Sequence, residues 1–293
     1  MMTILTIGLL ALGCAAPAAE NPPTPQAPSQ RIVAIGDLHA DLPQALAVLR
    51  LAGLVDEAGA WSGGAATLVQ TGDLTDRGPD SKEVIELMDR LAAEATAQGG
   101  RVVSLLGNHE LMNLTGDWRY VSPGDVADFG STEARQAAFA PTGPLGASLR
   151  ARDPAALVGR TVFVHGGVSA RFAEEARSVE VLSAQFHAAL GGRGAPTVLG
   201  DEGPLWYRGY LQAPEPVACA ELTRALAALG AERMVVGHTT QRSGQVATRC
   251  GGRLLGIDTG ISSHYGGNLA AVEIVGGDAV ALYPDGRVDL PDP

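Results

Sequence analysis

The chain has 293 residues and a mass of 30.0 kDa, enough for one large α/β domain whose core needs no staples. Its 46% hydrophobic and 18% charged residues, with 38 glycines, exclude a disordered or collagen-like chain. A formal charge of -11, with Lys82 the sole lysine among 21 basic residues, excludes sequence-independent nucleic-acid binding, which needs a phosphate-neutralising surface. Any anion must be held locally.

The first 30 residues read as an export leader and tether. The apolar run over residues 4–12 is shorter than the ~20 residues a membrane span needs, but it fits the hydrophobic region of a secretory signal. Ala11-Leu12-Gly13-Cys14 resembles a lipobox, in which the cysteine is lipidated after cleavage; ordinary cleavage near Ala16-Pro17-Ala18 is the alternative. Either route makes the protein exported, periplasmic or anchored to the cell envelope, with membrane contact only through that lipid. The proline-rich stretch up to Gln30 is then a semi-rigid tether, and residues 31–293 are the folded domain.

From residue 31 the chain repeats one pattern, a short β-branched run followed by a turn carrying a ligand-type side chain. Ile32–Ile35 leads to Asp37 and His39, Thr67–Gln70 to Asp73, and Val102–Leu106 to Asn108 and His109. Thr161–Val164 leads to His165 and Met234–Val236 to His238. Runs without alternation predict strands buried on both faces, hence sheet covered by helices. Leu42–Leu51 and Ser81–Ala97 carry the helical spacing, the second with Asp80-Ser81 as its cap and Glu83 in its first turn. The Asp37-to-Asp73 and Asp73-to-Asn108 intervals each suit one βαβ unit. Parallel strands joined by right-handed crossovers bring such turns to one sheet edge. Arg171–Leu190 and Ala218–Leu229 read as amphipathic cover, Leu254–Leu282 as closing antiparallel strands, and residues 111–160 as a rim that selects substrate. Cys219 and Cys250 form either one disulfide or two buried thiols.

Singly, each turn residue has a commonplace reading as a cap or a hydrogen-bonded group; together they define chemistry. Asp37, His39, Asp73, Asn108, His165 and His238 offer oxygen and imidazole only, suiting Mn²⁺, Fe or Zn²⁺. Six side chains exceed the needs of one catalytic ion but suit two divalent ions bridged by Asp73. A water between them, acidified to hydroxide, would attack phosphorus. Arg77 provides a planar fork for phosphate oxygens. His109 is expected to face away from the metals and protonate the leaving oxygen, oriented by Asp76.

Gly36-Asp37-Leu38-His39, Gly72 to Gly78, Gly107-Asn108-His109-Glu110, His165-Gly166-Gly167 and Gly237-His238 resemble the ordered motifs of the phosphoprotein-phosphatase branch of calcineurin-like metallophosphoesterases. Ala40 stands where the first motif usually has glycine. Met112-Asn113-Leu114, Gly116 to Tyr120, Pro204 to Gly209 and Asp258 to Gly267 resemble segments of the bacterial Shewanella-like protein phosphatases. The resemblance implies a fold of central mixed β-sheets, a β-sandwich, flanked by helices. It makes Arg208 the second phosphate-clamping arginine, Asn108 a substrate contact as well as a ligand, and Tyr265 a neighbour of the metal centre. The implied activity is two-metal hydrolysis of phosphomonoesters on a phosphorylated protein, at tyrosine or at serine and threonine, or on a small phosphoester. The alternatives are a diadenosine-polyphosphate-type phosphoanhydride hydrolase and a noncatalytic metal-binding envelope protein.

Overall fold

The computed structural model describes residues 30–293; the leader, Cys14 and most of the tether lie outside them. The first half of the chain alternates strand and helix: β1 (Ile32–Ile35), α1 (Leu42–Leu51), β2 (Thr67–Gln70), α2 (Ser81–Ala97) and β3 (Arg101–Ser104). Short helices follow as α3 (Asn108–Thr115), α4 (Pro123–Asp128), α5 (Thr132–Phe139) and α6 (Pro144–Arg150). The second half comprises β4 (Ala155–Val158), β5 (Thr161–Val164), α7 (Ala170–Ala176), α8 (Val179–Leu190), α9 (Gly209–Gln212), α10 (Glu215–Leu229) and β6 (Arg233–Val236). It closes with β7 (Ala247–Arg249), β8 (Leu254–Gly256), β9 (Ala271–Val275), β10 (Asp278–Tyr283) and β11 (Gly286–Asp289).

These strands build two mixed sheets, in the orders β11-β10-β9-β1-β2-β3 and β4-β5-β6-β8-β7. Side-chain alternation stacks them. Ile32, Ala34 and Val69 share one apolar layer with Phe163, Val235 and Leu255 of the other sheet. The alternate residues Val33, Ile35, Leu68, Val162 and Val164 join the core formed with the helices. A strand buried on both faces therefore meets a second sheet on one side and helices on the other, as aligned sandwich packing requires. In each sheet the central strands run parallel, so all five ligand-bearing turns open at one end of the sandwich.

Four expectations are corrected in detail. The third strand covers Arg101–Ser104 and is only partly buried, because it is the edge of its sheet. Asp80 stands at the start of α2, but its Oδ2 accepts from the Leu42 amide at 3.0 Å instead of capping its own helix. The stretch from Arg171 to Leu190 is two helices, broken at Arg177, whose φ of 67° is left-handed. Of the closing strands, β8 runs parallel to β6.

Cys219 of α10 is disulfide-bonded to Cys250, beyond β7, closing a loop of 31 residues. Such a link removes chain entropy from the unfolded state. Replacing both cysteines by serine is expected to lower the unfolding free energy by about 2–4 kcal/mol, read as a shifted urea midpoint.

Candidate active site

The first two ligand-bearing turns are tied to each other by their backbones. The amides of Leu38 and His39 donate to the Asp73 carbonyl at 3.0 and 2.9 Å, and that of Ala40 to the Leu74 carbonyl at 2.7 Å. Holding this shape puts His39, Ala40, Asp73, Asp76 and Arg77 at φ between 48° and 73°, a left-handed conformation uncommon for residues other than glycine. Ala40, at 52°, thus occupies a place that glycine adopts without penalty. Where the turns press on carboxylates no side chain fits: a Cβ on Gly107 would strike Asp73, and one on Gly237 would strike Asp37.

Asp73 is the hub. Its Oδ1 accepts from the His109 amide at 2.9 Å, while Oδ2 lies 3.3 Å from His165 Nε2, 3.7 Å from His39 Nε2 and 3.9 Å from His109 Nε2. His39 presents Nε2 because its Nδ1 meets the Thr75 carbonyl at 3.2 Å, and His165 because its Nδ1 meets that of Thr71 at 2.9 Å. Asn108 Oδ1 stands 2.9 Å from His165 Nε2. Asp37 accepts from the His238 amide at 3.2 and 3.1 Å, and the His238 ring lies 4.8 Å from that of His165. All six predicted ligands are therefore brought together and all are buried.

Their electrostatics suit cations. Burial pushes His39 down to about 4. Burial, with His165 and Arg208 beside it, pushes His238 down to about 2. Both are neutral imidazoles able to donate a lone pair. Burial and the nearby carboxylates of Asp258 and Asp73 raise Asp37 well above its ordinary value, a repulsion that a bound cation would relieve. His238 Nε2 is buried without a hydrogen-bond partner. Two three-residue groups, His39-Asp73-His109 and Asp73-His165-His238, could each hold an ion. The residues fit a dinuclear metal site.

The predicted phosphate-handling residues rim this hub. Arg77 lies over the Tyr120 ring at 3.9 Å, with Tyr265 at 6.0 Å, and its Nε is buried without a partner. Tyr265 also stands 4.9 Å from the His39 ring. Arg208 donates to the His238 carbonyl at 2.8 Å. His109 Nδ1 meets Asp76 Oδ2 at 2.7 Å. Burial opposes a charge on His109, but Asp73 and Asp76 outweigh it and raise its pKa. The expectation that His109 faces away from the ligands is corrected. Only Nδ1 turns outward; Asp73 Oδ1 fixes the His109 amide, so Nε2 faces the hub.

Three supporting groups escaped the sequence reading. Glu110 gathers the amides of Asp73, Leu74, Thr75 and Gly107 at 2.7–3.0 Å, locking the second turn to the third. Its position three residues after Gly107 is the capping-box spacing, a signal that was there to be read. Asp258 opens one of the segments that carry the resemblance, but its proximity to Asp37 comes only from the meeting of two sheets. Asn113 donates to Asp76 Oδ1 at 2.9 Å, one helical turn beyond His109.

Two stacked mixed sheets with a buried His/Asp hub at their shared end define a metal-dependent hydrolase of phosphoesters. The model of the Calcineurin-like phosphoesterase family matches residues 30–242, and the chain belongs to that family. It is 31% identical over 281 residues to Shewanella-like protein phosphatase 2 of Arabidopsis thaliana, covering 80% of this chain and 72% of the relative. An uncharacterized protein of Schizosaccharomyces pombe is 41% identical over 263 residues, covering 86% and 79%. Among solved structures, the cold-active protein-tyrosine phosphatase of a psychrophilic Shewanella superposes with a TM-score of 0.78 at 26% identity, covering 89% of this chain and 80% of that one.

Proposed function

We propose that the protein is a two-metal phosphoprotein phosphatase. The observation that carries this reading is the position of Asp73 Oδ2 within 3.3–3.9 Å of three imidazole Nε2 atoms, beside the unpartnered His238 Nε2. Asp37, His39 and Asp73 would hold one ion, and Asp73, Asn108, His165 and His238 the other, with Mn²⁺, Fe or Zn²⁺ all compatible. When bound, such a pair supplies a hydroxide nucleophile at neutral pH and screens the phosphoryl charge. Arg77 and Arg208 orient the phosphoryl oxygens and stabilise the charge of the transition state, the main task in this chemistry. Asn108 adds a phosphate contact. His109, held through Nδ1 by Asp76, delivers its Nε2 proton to the departing oxygen.

Tyr120 and Tyr265, both beside Arg77, would offer aromatic surface to the ester group, which supports phosphotyrosine over phosphoserine. The activity named for the Shewanella structure points the same way. The Cys219–Cys250 bond suits an oxidising compartment and supports the export that the leader predicts.

Phosphate release by the Mn²⁺-loaded protein from phosphotyrosine and phosphoserine peptides tests the reading. Turnover favouring phosphotyrosine is expected. Metal binding without turnover on either peptide would overturn it, leaving the phosphoanhydride and noncatalytic alternatives.

A further inference from the structure

Behind the His109–Asp76 pair lies a second charged pair, Arg135 and Asp125, that none of the catalytic roles uses. Asp76 and Asp125 are fully buried and Arg135, on α5, is 1% exposed. Arg135 Nε donates to Asp125 Oδ2 at 2.6 Å, and Asp125 Oδ1 accepts from the Ser81 amide at the start of α2. Its other end points elsewhere. Nη2 lies 3.8 Å from Asp76 Oδ1, neither Nη has a hydrogen-bond partner, and the Phe139 ring stands 4.3 Å from the guanidinium carbon. A guanidinium kept dry among aromatic rings is costly unless carboxylates face it. One carboxylate at one edge leaves half of that cost uncompensated; Asp76 faces the other half.

Asp76 Oδ1 thus has Arg135 and Asn113 on one side, while Oδ2 is left for His109 Nδ1. We propose that Arg135 is a positioning residue for the acid pair. It faces the far oxygen of Asp76, keeping the carboxylate turned so that Oδ2 fixes the His109 ring. The segment 111–160 is then a rear support of the reaction centre as well as its rim. The kinetic half of this inference rests on the phosphatase reading; the Arg135–Asp76 contact does not.

Two measurements on the full-length protein test it. The first compares turnover of phenyl phosphate, whose leaving group needs a proton, with that of 2,4-dinitrophenyl phosphate, whose leaving group does not. Arg135→Met is expected to slow phenyl phosphate on the order of tenfold and dinitrophenyl phosphate by less than about twofold. Arg135→Lys should restore most of the difference, since it returns the charge. Equal losses on both esters would make Arg135 a strut for α5 and overturn the proposal.

The second measurement needs no turnover. In urea unfolding, removing the Arg135 guanidinium should cost about tenfold less in the folding constant when Asp76 is already Asn, because neighbours that interact are not additive. Additive costs would overturn the proposal. If Arg135→Met does not fold, the same cycle run with Arg135→Gln, which also removes the charge, decides. A wild-type protein inert on both esters but showing the coupling would sink the phosphatase reading and uphold the Arg135–Asp76 contact.

Discussion

Asp73→Asn is expected to reduce turnover of p-nitrophenyl phosphate on the order of a thousandfold and to drop the bound-metal count below two per chain. The substitution is close to isosteric, and an Asn Oδ1 can still accept from the His109 amide, now at 2.9 Å. The fold of the turns should survive, because their amides are held by Glu110 and by the Asp73 backbone carbonyl, neither of which changes. What disappears is the anionic Oδ2 around which His39, His109 and His165 converge. Elemental analysis of the purified variant together with steady-state rates reads both effects. A variant holding two ions and more than about a tenth of the wild-type rate would remove Asp73 from the bridging role.

The second large effect belongs to His109. His109→Asn should slow hydrolysis of a phosphoserine peptide about 10²–10⁴-fold, the usual range for losing a general acid, and affect an activated aryl phosphate far less. The structure explains the asymmetry. Asp73 and Asp76 raise the His109 pKa despite its burial, favouring the protonated ring, and a poor alkoxide leaving group needs that proton whereas an activated phenolate departs without it. Asn keeps the backbone bond to Asp73 and the start of α3, so the variant isolates the proton from the scaffold. Equal losses on both substrates would assign His109 to holding Asp73.

The strand-turn pattern was legible residue by residue because each turn joins a short apolar run to a ligand-type side chain, and the central strands run parallel. Ile32–Ile35, Thr67–Gln70 and Thr161–Val164 are strands to the residue. The edge position of β3 was not legible, since pairing across a sheet leaves no mark in a single run of apolar residues. Asp80 misled because a carboxylate before a helix normally caps it; here the Leu42 amide competes successfully. In the site, the ligands announced themselves by type and recurrence. Arg135 did not, and Asp258 stood in a recognised segment without a partner, for only tertiary packing reveals what they face.

The hub draws on both sheets. Asp37, His39, Asp73 and Asn108 follow strands of the six-stranded sheet, whereas His165 and His238 follow strands of the five-stranded one. The ligands assigned to one ion, Asp37, His39 and Asp73, all come from the first half of the chain, whereas the other ion also needs His165 and His238 from the second. Capture of the complete pair therefore reports that both halves have arrived: the free energy of the second ion accrues only to the finished sandwich. A partly folded chain, with one sheet formed and the other open, would be inert as well as unstable. The protein gains a safeguard against cutting phosphoesters before its two sheets have closed on each other.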